Sequence, residues 1–351
     1  MVPVATPVRI AIVTDAWTPQ INGVVNTLAA TAQCLREAGL QVRIVEPGGL
    51  KTFSLPGYPE VRLACRPYAK VAIALDSFEP DCIHIATEGP MGLAARRYCV
   101  EHGLQFTTSF HTRFPEYLRA RSGVPTALTY QWLRWFHGRS RSVMVPTPAM
   151  RRVLEARGFA RIALWGRGVD TGDFKPEPQP RLGTRPVFLY VGRLAAEKNV
   201  EAFLQADLPG IKWLIGDGPA REALERRYPQ ALFLGARRHE ELAPYYNSAD
   251  VFVFPSRTDT FGLVMAEAMA CGVPVAAYPV EGPIDVVAHG RSGVLDEDLA
   301  AACRRALLLD REAVRTHALR YSWTNATAQF VQNLQPARGG RLPAMRPLAG
   351  A

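Results

Sequence analysis

Short apolar runs recur along this chain, and most are followed by a polar turn and then by a stretch whose apolar residues return every three or four positions. Arg9-Ile10-Ala11-Ile12-Val13 opens the series, and similar runs follow at Gln41–Val45, Cys82–Ala86, Phe106–Ser109, Val143–Pro146 and Ile162–Leu164. Helix-period stretches lie between them, from Asn22-Gly23 to about Ala38-Gly39, at Gly89–Cys99 and at Ala149–Arg157. Apolar runs buried on both faces and separated by helices predict a parallel, doubly wound sheet. The alternation breaks at residues 166–186, where Gly166, Gly168, Pro176, Pro178, Pro180 and Pro186 read as a link between domains. It restarts at Val187-Phe188-Leu189-Tyr190-Val191, with further strands predicted at Ile211–Gly216, Ala231–Gly235 and Val251–Phe254. The pattern therefore predicts two α/β domains, residues 1–168 and 169–335, and the last helix is expected to return toward the first domain. Residues 336–351, rich in Pro, Gly and Arg, are expected to form a disordered basic tail.

The second domain is organised around Pro255–Val275, which reads as strand, loop, helix, C-cap glycine and next strand. A helix starting near Thr260 offers the backbone N–H groups of Phe261, Gly262 and Leu263 at its positive end, a setting suited to phosphate or a sugar hydroxyl. Glu267 lies two turns in, on an otherwise small and apolar helix. Buried there, a carboxylate needs a partner, and two vicinal ribose hydroxyls would serve. The alternative is an ordinary helix with Glu267 at a solvated edge.

Other loops repeat this chemistry. Asn22-Gly23 opens a helix after the first strand, but the loop is neither Gly-x-Gly-x-x-Gly nor a Walker loop, so neither dinucleotide nor ATP is indicated. His111 follows a strand end in a polar loop. Arg193 and Lys198, in the loop after Val191, look like two cations aimed at a diphosphate, with an ordinary surface pair as the alternative. Asp296-Glu297-Asp298 precedes a helix and reads as a cap, not as a metal site.

Composition adds bounds. A chain of 351 residues is long for one core, and 48% hydrophobic with 21% charged residues fits a globular protein. No apolar run reaches membrane-spanning length, and the start lacks the basic region of a signal peptide. Six scattered cysteines are expected to be small core residues in a reducing cytosol. The net charge of +9 lies in the first half, where residues 1–168 carry 20 Lys and Arg against 11 Asp and Glu. It concentrates between Arg113 and Arg152, where Trp132, Trp135 and Phe136 interleave with arginines on an amphipathic helix. An interfacial helix on anionic lipid and a helix packed on the sheet with a basic edge both fit. No nucleic-acid motif accompanies the charge, so nucleic acid is not expected as a partner.

Taken together, the motifs resemble the retaining glycosyltransferases of sequence family 4 over residues 9–335. They are Asp-Ala-Trp-x-Pro-x-x-Asn-Gly-Val at 15–24, His-Thr-Arg-Phe-Pro-Glu-Tyr at 111–117, the Arg193/Lys198 loop, and Ser-Arg-Thr-Asp-Thr-Phe-Gly-Leu at 256–263, in family order. The resemblance implies the GT-B fold, two Rossmann-like domains facing across a cleft, with donor on the C-terminal and acceptor on the N-terminal domain. It also implies the site. Asn22 and Gly23 meet the donor diphosphate, His111 contacts the donor sugar near the reacting carbon, and Arg193 and Lys198 hold the diphosphate. Glu267 binds the ribose, while Phe261, Gly262 and Leu263 supply amides, with Gly192, Gly235 and Thr260 also at donor positions. Asp259 stands where the family's Glu-x7-Glu motif has its first acid. No cofactor and no metal are implied.

The motif spellings look most like a lipid-directed subgroup of α-mannosyltransferases and sulfolipid- or glucuronolipid-forming enzymes. The expected reaction moves a sugar from a UDP- or GDP-linked donor to an acceptor hydroxyl, on a membrane lipid such as diacylglycerol. The alternatives are a GDP-mannose-dependent α-mannosyltransferase with a saccharide acceptor and a sugar-nucleotide epimerase. A cytoplasmic protein, peripheral on the inner face of the membrane through residues 113–152, is expected. Arg113 and Arg257 are candidate cations for a charged donor sugar, and Gly235-Ala236-Arg237 is the candidate region for choosing the base.

Overall fold

A computed structural model describes residues 8–20, 22–55, 58–178, 186–340 and 342. The expected absence of a leader, which falls on residues 1–7, the Pro-rich part of the link at 179–185 and the tail beyond 342 lie outside the described residues. The chain divides into Met1–Gly166 with Trp323–Ala351, and Arg167–Ser322.

In chain order the first unit runs β1 (Arg9–Val13), α1 (Gly23–Glu37), β2 (Gln41–Val45), β3 (Thr52–Leu55), β4 (Tyr58–Ala64), α2 (Tyr68–Phe78), β5 (Cys82–Ile85) and α3 (Pro90–Glu101). It continues with β6 (Thr107–Ser109), α4 (Phe114–Ser122), α5 (Thr126–His137), β7 (Val143–Val145), α6 (Pro148–Glu155) and β8 (Ile162–Leu164). Six strands form a parallel sheet in the order β2-β1-β5-β6-β7-β8. The inner strands β1 and β5 are covered on both faces, so Ile10, Ile12, Ile83 and Ile85 are all inaccessible to solvent, while edge strands β2 and β8 are only partly buried. That double burial is what produced continuous apolar runs instead of alternation.

The second unit repeats the design: β9 (Val187–Val191), α7 (Val200–Gln205), β10 (Ile211–Ile215), α8 (Arg221–Arg227), β11 (Leu232–Phe233), α9 (Ala243–Ser248) and β12 (Val251–Phe254). Then come α10 (Leu263–Ala270), β13 (Val275–Ala277), α11 (Pro283–Val286), β14 (Gly293–Leu295), α12 (Leu299–Ala306) and α13 (Arg311–Ala318). Its parallel sheet has the order β11-β10-β9-β12-β13-β14. One core lies on each face of this sheet, built around Leu189, Phe252 and Met265 on one side and Phe188, Leu214 and Val253 on the other. The final helix, α14 (Trp323–Asn333), belongs to the first unit, where Phe330 and Leu334 pack with Ile10, Ile12 and Trp165.

Several expectations are corrected. β3 and β4 pair as an antiparallel ribbon that the helix-strand alternation did not show. Residues 336–340 are held to the first sheet: Ala337 is buried, donates its N–H to Asp81 O and accepts from Gln105 N. Two backbone bonds and a buried methyl fix a segment that composition alone marks as disordered. Four cysteines are buried, but Cys34 is half-buried and Cys65 exposed, and all six are free thiols. Asp298 does cap a helix, accepting from the N–H groups of Ala300 and Ala301.

Candidate active site

In each unit the strand order reverses beside the first strand, between β1 and β5 and between β9 and β12. Loops leaving the carboxyl ends of such strands turn to opposite faces and open a crevice, the usual ligand position in this architecture. In the second unit those loops are residues 192–199 and 255–262. They are laced together. Asn199 Nδ2 donates to Pro255 O at 3.1 Å, Thr258 Oγ1 donates to Glu197 O at 3.3 Å, and Lys198 Nζ pairs with Asp259 Oδ1 at 2.6 Å. Lys198 and Asp259 are both largely shielded from solvent, which argues against an ordinary surface pair. Arg193 is half-buried in the first of these loops. Its carbonyl accepts from the Tyr190 hydroxyl at 2.8 Å, and this bond anchors the turn at Gly192.

Close backbone approach shapes this floor. A Cβ on Gly216, whose φ is +142°, would lie 1.9 Å from Gly192 O. Neither backbone can retreat, because Gly192 N bonds Ile215 O and Gly216 N bonds Gly235 O, each at 2.9 Å. Gly216→Ala is therefore expected to destabilise the second unit by about 3 kcal/mol or more, since strain and overlap add. A lower thermal unfolding midpoint checks this. An unchanged midpoint would mean that the loop relaxes.

The helix α10 starts at Leu263, not near Thr260. Gly262 adopts a left-handed φ of +80°, which no helical residue takes, and redirects the chain by three residues. A Cβ there would meet Phe254 and Met265 below 3.0 Å, so glycine is required twice over. Among the described residues, the backbone N–H groups of Phe261, Gly262, Leu263 and Val264 make no hydrogen bonds. The expected bare amides are present, spread over a turn instead of a first helical turn. Thr260 and Phe261 are buried, with Phe261 edge-on to Tyr321 at 5.7 Å.

Glu267 is 4% exposed, which rules out a solvated helix edge. Burial pushes its carboxyl up from the ordinary range, against weaker opposing effects from His239 and Tyr246. Tyr246 Oη on α9 donates to Oε2 at 2.8 Å, and His239 Nδ1 lies 3.8 Å from Oε1. Both partners escaped the sequence reading. Tyr246 sits one helix earlier with no motif to mark it, and His239 is held against Phe174 at 5.0 Å by tertiary packing. Gly235, just past edge strand β11, accepts from Gly216 N on this floor and lies near Arg221 and Arg237. Arg237 Nε donates to Tyr245 Oη at 3.0 Å.

In the first unit, the Asn22 side chain is committed to the fold. Its Oδ1 accepts from Val24 N and Val25 N at 3.0 Å and caps α1, its Nδ2 lies 3.4 Å from Gln20 Oε1, and the Gly23 backbone beside it is exposed. Asp15, which carried no expected role, ties the loop after β1 to the loop after β5. It accepts from Met91 N at 2.9 Å and Thr87 Oγ1 at 2.7 Å, and burial nonetheless pushes its carboxyl up. His111 is half-buried beyond β6, with Nε2 2.8 Å from Ser109 Oγ and its ring edge-on to Trp165 at 5.5 Å.

Neither candidate cation for a charged sugar is uncompensated. Arg113 Nη2 pairs with Glu116 at 2.9 Å, and that carboxylate also accepts from the Tyr130 hydroxyl. Arg257 pairs with Glu297 at 2.9 Å and lies 3.7 Å over the Tyr278 ring.

Residues 185–309 match the family described as glycosyl transferases group 1, and residues 21–173 match glycosyltransferase family 4. The GDP-mannose-dependent alpha-mannosyltransferase of Mycolicibacterium smegmatis is 30% identical over 95% of this chain and 98% of its own. The sulfoquinovosyl transferase SQD2 of Arabidopsis thaliana is 30% identical over 88% of this chain and 70% of its own. Among solved structures, sucrose-phosphate synthase from Thermosynechococcus elongatus superposes with a TM-score of 0.76 at 21% identity, covering 93% of this chain and 98% of that one. Anabaena Alr3699/HepE, solved with UDP-glucose, gives 0.70 at 18% identity over 92% and 98%. These likenesses establish the GT-B fold.

Proposed function

This chain belongs to glycosyltransferase family 4, and we propose that it moves a neutral hexose from a nucleoside diphosphate donor to the hydroxyl of a membrane lipid, with retention at the anomeric carbon. The observation that carries this reading is the convergence, at the switch point of the second sheet, of Lys198, the Arg193 loop and the bare amides of 261–264 in the unit that buries Glu267. In the reaction, the bond from C1 to the phosphate oxygen breaks as the acceptor oxygen bonds to C1 on the same face. The acceptor proton passes to the departing phosphate. Charge building on the diphosphate is met by Lys198, Arg193 and the amides, with no metal in the scheme. Glu267 holds the ribose hydroxyls, and His111 faces the sugar.

GDP-mannose is the first donor to expect, because full-length relatives carry GDP-mannose-dependent activity in their names. Pairing of Arg113 with Glu116 and of Arg257 with Glu297 favours an uncharged sugar. A hydrolysis and transfer screen with GDP- and UDP-sugars, with and without diacylglycerol vesicles, tests this. Product from GDP-mannose on vesicles supports it. Product only from a UDP-linked anionic sugar overturns the neutral-hexose assignment, and silence across all donors overturns transfer itself.

The acceptor surface rests on α5. One face is packed through Tyr130, Leu133 and Phe136, while Leu128, Trp132 and Trp135 remain 60%, 36% and 54% exposed. Arg139 and Arg141 follow in the chain, both exposed. The packed face answers to the reading of a helix on the sheet, and the exposed face supports the interfacial reading. Among the described residues no helix is long and apolar enough to cross a membrane. An aromatic stripe beside arginines suits shallow insertion under anionic headgroups. Replacing Trp132 and Trp135 together with serine is expected to weaken co-sedimentation with anionic vesicles about tenfold. Salt should weaken the parent protein's binding too. Equal binding to neutral and anionic vesicles would refute electrostatic docking.

A further inference from the structure

Glu88 stands in the loop that leaves β5, at the switch point of the first sheet, and the main chain is fixed on both sides of it. Ala86 N donates to Val13 O at 2.8 Å, Asp15 N to Thr87 Oγ1 at 2.7 Å, and Met91 N to Asp15 Oδ1 at 2.9 Å. Helix α3 closes in from behind, since a Cβ on Gly92 would lie 1.8 Å from Thr87 O. The Glu88 side chain is 24% exposed, and its one ionic contact among the described residues is with His137. No Lys or Arg pairs with Glu88 or Asp15 among the described residues, although the excess positive charge of the chain lies in this half. Burial, and to a smaller extent the Glu88 charge, push the Asp15 carboxyl up.

His137 is the last residue of α5 and is buried. Its Nδ1 lies 2.9 Å from Thr108 Oγ1, and its Nε2 lies 3.3 Å from Glu88 Oε1. With the Thr108 hydroxyl donating to Nδ1, the ring presents its Nε2–H to the carboxylate. The reverse arrangement would aim a lone pair at Glu88 and leave the buried Thr108 proton without a described acceptor. Even so, Nε2 makes no hydrogen bond: at 3.3 Å it is within reach of Oε1 but out of line. A buried donor short of its bond is a cost, and a carboxylate turned fully inward would remove it. Glu88 is not turned inward, and its Oε2 accepts from no described residue.

We propose that Glu88 binds the acceptor: Oε2 accepts a hydrogen bond from an acceptor hydroxyl at the crevice of the first unit, and His137 is the positioning residue that holds the carboxylate at Oε1. A carboxylate with no Lys or Arg beside it attracts hydroxyl donors and repels phosphate oxygens. Glu88 orients the hydroxyl and takes no proton from it. The same chemistry is offered by a lipid alcohol and by a saccharide. A rigid loop suits the task, because little is left to order when the acceptor arrives. His137 also ends the helix whose exposed tryptophans are proposed to meet the membrane, so one side chain separates that helix from the acceptor-binding carboxylate. The proposal rests on the transferase reading.

Steady-state kinetics with GDP-mannose, or with the UDP-sugar that the donor screen identifies, test it on two acceptors, diacylglycerol in vesicles and methyl α-mannoside in solution. The arm that gives product tells lipid from saccharide. In that arm Glu88→Gln is expected to lower kcat/KM for the acceptor about tenfold, with donor KM unchanged. Unchanged acceptor kcat/KM overturns the inference, and a matching rise in donor KM would place Glu88 at the donor instead. His137→Leu is expected to lower acceptor kcat/KM several-fold, and His137→Gln, which keeps an N–H for Glu88, to recover most of it. In a Glu88→Ala background His137→Leu should cost nothing more, because the carboxylate it positions is gone. A full further loss there would mean that His137 serves the fold alone, and the positioning role falls. A parent chain that transfers from no donor sinks the transferase reading and this proposal with it. A parent that transfers but is indifferent to Glu88→Gln sinks this proposal alone.

Discussion

Replacing Lys198 by alanine is expected to lower turnover by about 10²- to 10³-fold, the range seen when one preorganised group that meets developing charge is removed, with the fold intact. The size follows from the setting. Lys198 and Asp259 face each other at 2.6 Å across the switch point, both shielded from solvent, where a charge counts for more than it does in water. The second carboxylate oxygen of Asp259 is buried with no hydrogen-bond partner. In the free chain Lys198 neutralises that acid, and an arriving diphosphate competes for the same ammonium. Alanine at 198 therefore removes a cation and also leaves an uncompensated anion facing the donor. The double variant Lys198→Ala/Asp259→Asn should accordingly recover part of the loss, a non-additivity that steady-state kinetics on the two singles and the double will read. Near-normal turnover in Lys198→Ala would remove this residue from the mechanism.

Glu267 carries the second large effect. Glu267→Ala is expected to lower kcat/KM for the donor by about 10²-fold, because ribose contacts distant from the reacting carbon are used to position the sugar. It also strands the buried Tyr246 hydroxyl, at a cost of about 1–3 kcal/mol in stability. Glu267→Gln keeps an oxygen for Tyr246 and should raise donor KM about tenfold with kcat retained. The pH dependence has a definite sign. A carboxyl raised by burial holds its proton more tightly in the folded chain than in the unfolded one. Stability contributed at this site is therefore greatest below the ordinary carboxyl range and falls as pH rises through the elevated value. Unfolding midpoints measured across that window should fall less steeply in Glu267→Gln than in the parent. Parallel curves would mean that Glu267 is ionised without penalty.

Much of this was legible because the informative features are local. The strand Val251–Phe254, the Asp259 loop and the glycine at 262 lie within a dozen residues, and their order alone marks a strand, a turn and the helix that follows. The two-unit α/β architecture followed from apolar runs with helices between them. What escaped was long-range or conformational. A helix start near Thr260 was the natural reading until the left-handed backbone of Gly262 displaced it to Leu263. The cap that Asn22 Oδ1 places on α1 is likewise a matter of conformation. The partners of Glu267 lie more than twenty residues away, and nothing in their own neighbourhood announces them. His84 is hidden best of all. Within a strand of cysteine and isoleucines it breaks the apolar run for a reason visible only when Thr107 and Ser109 are brought beside it.

The return of α14 to the first sheet bears on the order in which the protein can be made. Residues 167–322 are one uninterrupted segment with cores on both faces of their sheet. The earlier unit, by contrast, lacks Phe330, Leu334 and Ala337 until they leave the ribosome. Domains ordinarily complete themselves in the order of synthesis. Here the half translated first must wait, with the surface around Ile10 and Trp165 uncovered, while the half translated second has everything it needs to close.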